Sequence, residues 1–369
     1  MKIVVSTKEL HDKLKMVSKV VGPHKTLPIL ENYLFDIKNG KLTVTGSNGE
    51  GMIQANIELV SAEDGEIKFI LDKTLFSALS ELSDQPITLD ISANKYIVVH
   101  YANGKFELQG RNADEFPMIQ LPAESNAVSL VRKQVIEGLK TVLPFIANDE
   151  LRPVMNGVFL QSVKGKLCFV STDSHCMALR EYKVEDLVPF NAIVPGRAAK
   201  IILAALLEYK EDNISINVSF KTLSVNTDKY TITYRLIEGN YPKYRSVIPT
   251  THNLKAVVDK NEILSLIRRV SVFSNMNSRL LKFDFGNVVI DVFAQDVDFA
   301  IQASETMFGE MDGAPVSIGF NASRLQDVIS AIETDNCDIK LISGERACII
   351  QPAQCNSVTL LIMPLLMNN

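Results

Sequence analysis

The chain has no tryptophan, and only five cysteines among its 369 residues. Those cysteines (Cys168, Cys176, Cys337, Cys348 and Cys355) are odd in number and none falls in a CxxC pair. Neither a disulfide framework nor a zinc cluster is therefore expected, and the thiols read as free in a reducing cytoplasm. No apolar run approaches the ~18 to 20 residues of a membrane span. The longest, VTLLIMPLLM, reads as a buried strand or an anchored terminus. The opening MKIVVSTKELHDKLK turns charged too early for a secretory signal, so a cytoplasmic protein with no membrane partner is expected. No GxxxxGK[ST] loop occurs and no GxGxxG follows a strand, which leaves nucleotide binding without support. The five histidines are scattered without metal-ligand spacing, so no metal and no cofactor are expected. A basic excess is missing too: the net charge is −5. As an average, that argues against a nucleic-acid partner. No aromatic run offers a stacking platform for single strands. Any contact with nucleic acid would be made to the backbone, sequence-independent and salt-dependent.

What the chain does have is one pattern written three times. A strand, a helix, a strand pair, a second strand and helix and a further strand pair run from Met1 to Pro122. The order recurs from Asn126 to Pro249 and again from Asn253 to Leu366. A period of roughly 125 residues suits a whole domain rather than a solenoid unit. Three domains are expected, at 1–123, 124–250 and 251–369. Each reads as α+β, with two helices packed on antiparallel sheet. Asn39-Gly40, Asn103-Gly104 and Lys164-Gly165 read as hairpin turns. FPMIQLP and YPKYRSVIP close the first two copies, and their prolines would end a strand and set the linker. A row of three such domains leaves sheet edges at its ends, which invites head-to-tail closure with another copy.

The first helices align on apolar stripes: Leu10, Leu14, Val17 and Val21; Val135, Leu139, Val142 and Ile146; Ile263, Ile267 and Val270. This i, i+4, i+7 spacing is one helix face. Lys15, Lys140 and Arg268 lie about 140° from the stripe, and Lys8, Lys133 and Asn261 about 160°. Each first helix thus shows a basic residue at one shared place, with Asp12 and Glu137 nearby in favour of an ordinary mixed surface. The second helices align on Leu75, Leu79 and Leu82, on Ala199, Leu203 and Leu206, and on Leu325, Ile329 and Ile332. Lys73 and Arg197 sit at matching N-terminal positions; the third copy has Ser323 there. Only Thr172-Asp173-Ser174-His175 suggests a nucleophile. Read as a strand, it points Ser174 and His175 to opposite faces, so no catalytic residue is assigned.

Several phrases carry a family resemblance over essentially the whole length. They are Thr26-Leu27-Pro28-Ile29-Leu30, Met155-Asn156-Gly157, Ser171 to His175, Asn240-Tyr241-Pro242-Lys243-Tyr244-Arg245 and Ile362-Met363-Pro364-Leu365. In these the chain resembles the bacterial replicative sliding clamps, the beta subunits of DNA polymerase III. The resemblance implies a non-enzymatic homodimeric ring of six domains. Its inner helices would face double-stranded DNA, and it would tether the polymerase and confer processivity. An acidic exterior with a basic lining would reconcile the net charge with DNA. The implied DNA contacts are Lys8, Lys15, His24, Lys25, Lys73, Lys133, Lys140, Arg152, Arg197, Lys200 and Arg268. The implied pocket for the polymerase III catalytic subunit, the clamp loader and other clamp-motif proteins takes in Met155, Thr172, Ser174, His175, Met177, Pro242, Val247, Ile362, Met363, Pro364 and Leu365. It is expected once per chain. Places where the family often has arginine hold Cys176, Ser246 and Leu366. The implied dimer seam joins Phe106 and Leu108 to Val272 and Phe273 of a second copy. A three-domain peptide scaffold that never closes on DNA, and an enzyme with an unrecognised site, stand as alternatives.

Overall fold

The structure is a computed structural model that describes residues 1–120, 122, 125–185 and 187–367. The expected boundary between residues 123 and 124 lies outside them, as does Leu121 of the first linker phrase. The first repeat runs β1 (Lys2–Ser6), α1 (Thr7–Val17), β2 (Tyr33–Lys38), β3 (Lys41–Ser47), β4 (Gly51–Ile57), β5 (Ser61–Ala62), β6 (Glu66–Leu71), α2 (Thr74–Ser80), β7 (Pro86–Ile91), β8 (Tyr96–Tyr101) and β9 (Gly104–Gln109). The second runs β10 (Asn126–Val131), α3 (Arg132–Val142), β11 (Gly157–Val163), β12 (Lys166–Thr172), β13 (Cys176–Lys183), β14 (Phe190–Pro195), α4 (Gly196–Glu208), β15 (Asn213–Val218), β16 (Thr222–Asn226) and β17 (Tyr230–Arg235). The third runs β18 (Leu254–Asp259), α5 (Lys260–Ser271), β19 (Leu280–Phe285), β20 (Val289–Asp296), β21 (Ile301–Phe308), β22 (Glu310–Gly313), β23 (Val316–Asn321), α6 (Ala322–Ser330), β24 (Asn336–Leu341), β25 (Cys348–Pro352) and β26 (Val358–Ile362). The expected strand pairs are thus triplets.

The helices start where side chains satisfy their first amides. Ser6 accepts from Glu9 N at 3.2 Å, Asp259 from Glu262 N at 2.8 Å and Asn321 from Arg324 N at 3.1 Å. Leu10, Leu14, Val17, Val135, Leu139, Val142, Ile263, Ile267 and Val270 are all buried, as their spacing requires. Val21 and Ile146 lie beyond the helix ends and are half-buried. Asn39-Gly40 and Lys164-Gly165 are tight two-residue turns, with φ of 51° and 71° in each pair. The third hairpin turns one residue earlier than expected, at Ala102-Asn103, because Tyr101 pairs with Gly104.

The chain forms two compact units: Met1–Ile136 with Arg197–Leu236, and Glu137–Gly196 with Ile237–Asn369. The middle repeat contributes to both. The first unit holds a five-stranded sheet, β5-β1-β7-β8-β9, and an eight-stranded one, β10-β15-β16-β17-β4-β3-β2-β6. The second holds a nine-stranded sheet, β14-β11-β12-β13-β26-β25-β24-β18-β22, and a four-stranded one, β21-β20-β19-β23. So each repeat divides its strands between sheets, rather than packing two helices on one sheet of its own. The joints are antiparallel pairs of distant strands, with Ile232 opposite Ile53 and Leu179 opposite Thr359. An open β4 or β13 edge would leave a row of unpaired amides; the next repeat's last strand satisfies them.

Candidate nucleic-acid and peptide interfaces

In the first unit, Lys8 and Lys15 are exposed on α1, opposite its buried stripe, and Lys19 is exposed just past the helix end. Lys133, Lys73 and Lys200 are exposed as well. Lys13, between Lys8 and Lys15 in the chain, is instead buried. Its ammonium lies 3.6 Å from Glu9 and 5.0 Å from the centre of the Tyr230 ring. Arg197 donates to the carbonyls of Lys19 and Val20 at 2.6 and 3.1 Å, just past the carboxyl end of α1, where a cation suits the helix dipole. His24 shapes its own loop: Leu27 N donates to its Nδ1 at 3.1 Å, and its own amide donates to Glu31 at 2.9 Å. Lys25 beside it is exposed.

In the second unit, Lys140 and Arg268 are exposed. Arg269 next to Arg268 is tied to Glu305. Glu137, expected on the same open face as Lys140, turns away. It accepts from Arg180 at 2.7 Å and from the Tyr182 hydroxyl at 3.0 Å. Arg152 pairs with Asp149 at 2.8 Å, and its guanidinium also reaches Ser174 Oγ. An expected phosphate contact thus touches an expected pocket residue.

That pocket region is built on a turn. Residues Asp173 to His175 are not strand: Asp173 accepts from the amides of His175 and Cys176 at 2.9 and 2.6 Å, and Ser174 has φ of 78°. The strand alternation expected for this segment does not apply to the turn. Asp173 is spent on backbone amides, and no Ser–His pairing forms. Thr172 Oγ1 closes the turn on the Cys176 carbonyl at 2.7 Å, and Ser174 Oγ lies 3.6 Å from Met155 Sδ. Cys176 is buried, and that burial lifts its thiol to about 12.

A groove of about 530 Å³ opens beside this turn. Val247 and Met363, both expected pocket residues, line it, joined by Ile248, Pro249, Ile342 and Arg346. Met363 is held there by its amide, which donates to the His175 carbonyl at 2.8 Å. Leu365 N donates to Gly319 O at 2.8 Å, so the tail lies along β23. Pro242, Pro364 and Leu365 are half-buried nearby in the chain. Met177 and Ile362, at 2% and 0% exposure, are core and present no surface to a ligand. Met177 belongs to the cluster of Phe159, Val170, Leu179, Tyr244, Ala347 and Leu361. Ile342 and Arg346 were missed because their loop is distant in sequence from every matched phrase. Arg346 supplies a cation, and Glu345 beside it a carboxylate, to a groove expected to lack the family's arginines.

Two of the sheet edges, one in each unit, complete the candidate surfaces. β9 has a neighbour only on its β8 side, and β21 only on its β20 side. Phe106 and Leu108 lie half-buried on β9. Val272 and Phe273 follow α5 at 72% and 38% exposure, and Met276, Phe299 and Ile301 expose further apolar surface in the same unit. Among the described residues no cluster of His, Cys, Asp and Glu could hold a metal, and no helix is long and apolar enough to cross a membrane.

The chain matches the models for the N-terminal, central and C-terminal domains of the DNA polymerase III beta subunit at residues 1–120, 130–243 and 245–366. It is 25% identical over 372 residues to a beta sliding clamp of Staphylococcus aureus, spanning 97% of this chain and 96% of that one. The Staphylococcus epidermidis beta sliding clamp is 24% identical, with the same shares covered. Among solved structures, the beta subunit of Thermotoga maritima superposes with a TM-score of 0.91 at 25% identity. A Pseudomonas aeruginosa sliding clamp bound to griselimycin gives 0.94 at 22%. Both cover 100% of each chain.

Proposed function

We propose that this chain, which belongs to the DNA polymerase III beta-subunit family, works as a head-to-tail homodimer closed around duplex DNA. As a member of that family it is a sliding clamp, a processivity factor and not an enzyme. The observation that carries the closed form is that β9 of the first repeat and β21 of the third both end their sheets. β9 and β21 each lack a neighbour, and β21 lies in the unit that exposes Val272, Phe273, Phe299 and Ile301. Joining them in two copies removes both edges, and large apolar groups suit a lasting interface. Phe106 and Leu108 on β9 are the assigned partners of Val272 and Phe273.

DNA contact is assigned to Lys8, Lys15, Lys25, Lys73, Lys133, Lys140, Lys200 and Arg268, without sequence preference. His24 and Arg197 act mainly by shaping the loop and helix end that present their neighbours. Arg152 is assigned to both surfaces, since it meets Ser174. The groove at Val247 and Met363 is assigned to short apolar motifs of the polymerase III catalytic subunit, the clamp loader and other clamp-binding proteins. The three domains are placed at 1–123, 124–250 and 251–369, and the site of action in the cytoplasm.

Two measurements test this reading. The native mass should be twice the 40.9 kDa chain mass. Protein loaded on closed circular DNA should stay bound and leave when the circle is cut. A monomer, or equal loss from both forms, would favour the open scaffold.

A further inference from the structure

The first repeat holds a second groove, of about 360 Å³, on one face of its β6-β2-β3-β4 sheet. Leu34, Asp36, Thr45, Gln54, Phe116 and Met118 line it, with Lys68, whose ammonium lies 2.8 Å from the Asp36 carboxylate. The second repeat shows what such a place accepts, because the two sheets match residue for residue. Leu34 pairs with Thr45 and Thr45 with Gln54; Phe159 pairs with Val170 and Val170 with Leu179. Asp36 lies between Lys68 and Thr43 as Gln161 lies between Asn191 and Cys168. Phe116 packs on Leu34 in the first copy, and Tyr241 stacks on Phe159 at 4.7 Å in the second.

Beyond that point the copies part. In the second repeat the linker puts Tyr244 onto the sheet, 6% exposed. Its hydroxyl donates to Gln161 at 2.9 Å and its ring meets Phe159 edge-on. Arg245 follows, bound to Glu181 at 2.7 Å. In the first repeat the linker reads Phe-Pro-Met-Ile after Glu115 and brings no such ring. Met118 stays 45% exposed at the edge of the open groove. The floor has also changed, from Gln161, Val170 and Leu179 to Asp36, Thr45 and Gln54. It has become more polar and carries the Asp36 carboxylate, with the Lys68 ammonium beside it, where the tyrosine hydroxyl ends.

We propose that this groove docks a partner segment bearing a tyrosine with a basic neighbour. The ring lies on Leu34 and Phe116, the hydroxyl donates to Asp36, and the basic residue faces the exposed Asp114 at the rim. The site differs from the groove at Val247 in chemistry and in the repeat that carries it, and it does not depend on ring closure.

The test uses the full chain with labelled methionine and leucine methyl groups. The probe is the acetylated amide Pro-Lys-Tyr-Arg-Ser, the second repeat's own sequence. Saturable shifts at Met118 and Leu34 are expected, and the same peptide with phenylalanine for tyrosine should bind about three- to tenfold more weakly. Asp36→Ala should abolish that preference. Lys68→Ala breaks the same 2.8 Å ion pair but leaves the carboxylate, so it should keep the preference. Thermal midpoints of both variants, near that of the parent, confirm folding. No saturation, shifts confined to Met363, equal binding of the two peptides, or loss of preference in Lys68→Ala would each overturn the proposal.

Discussion

Arg180, on β13, is 8% exposed and its guanidinium reaches two helical regions of the second unit. It binds Glu137 at 2.7 Å and Thr141 at 3.0 Å on α3, and Glu333 at 3.2 Å just after α6. A guanidinium suits this because its planar fork serves several acceptors at once. Removing one partner of an enclosed pair leaves the other charge stranded, at about 3 to 5 kcal/mol. Glu333 is 59% exposed and regains water, so Arg180→Met is expected near the lower end, about 3 kcal/mol. Glu137→Gln should cost more than Glu333→Gln, because Glu137 is only 27% exposed. Urea midpoints of the three variants decide this; equal losses for the two glutamate changes would contradict it. The same residue shows what sequence reading misses. Glu137 sits on the polar side of the α3 stripe, and nothing in the helix pattern reveals a partner 43 residues away on a strand.

At the scale of elements, β9 and β21 define the assigned seam. Leu108→Asp places a charge on the edge and should convert the dimer to a monomer while leaving the five-stranded sheet intact, since Leu108 is only half-buried. Sedimentation with far-UV circular dichroism reads both; a folded dimer would refute the assignment. The helices were legible in the sequence because a stripe such as Leu10, Leu14 and Val17 is local, and so are the Asn39-Gly40 and Lys164-Gly165 turns. The sheets were less so. Alternation identifies a strand but not its neighbours, and β4 pairs with β17, far along the chain. Of the expected pocket residues, Val247 and Met363 line the groove beside the Asp173 turn. Met177 and Ile362 are buried beneath it, and a methionine or isoleucine in a matched phrase looks alike whether it lines a groove or underlies it. Phe299, in the turn between β20 and β21, and Ile301, at the start of β21, belong to no matched phrase and were missed.

For the whole molecule, charge placement outweighs net charge. The chain is acidic overall, at −5, yet Lys15, Lys140 and Arg268 recur at one helical position, exposed in all three repeats. Each phosphate contact contributes a slope of about 0.9 to the logarithmic salt dependence. Reversing the three charges to glutamate is expected to weaken loading on circular DNA at least about tenfold at low salt and to flatten that slope. Peptide binding at the Val247 groove should be unchanged. Loading that survives the triple reversal would remove these helices from the DNA surface. The sharing of strands between repeats has a further consequence, for synthesis. β4 leaves the ribosome long before β17 exists to pair with it, roughly ten to thirty-five seconds at ~5 to 20 residues per second. During that interval a nascent first repeat presents an open, largely apolar strand edge. The time of greatest hazard for this protein thus falls while it is half made, and a translational pause between β4 and β17 would prolong it.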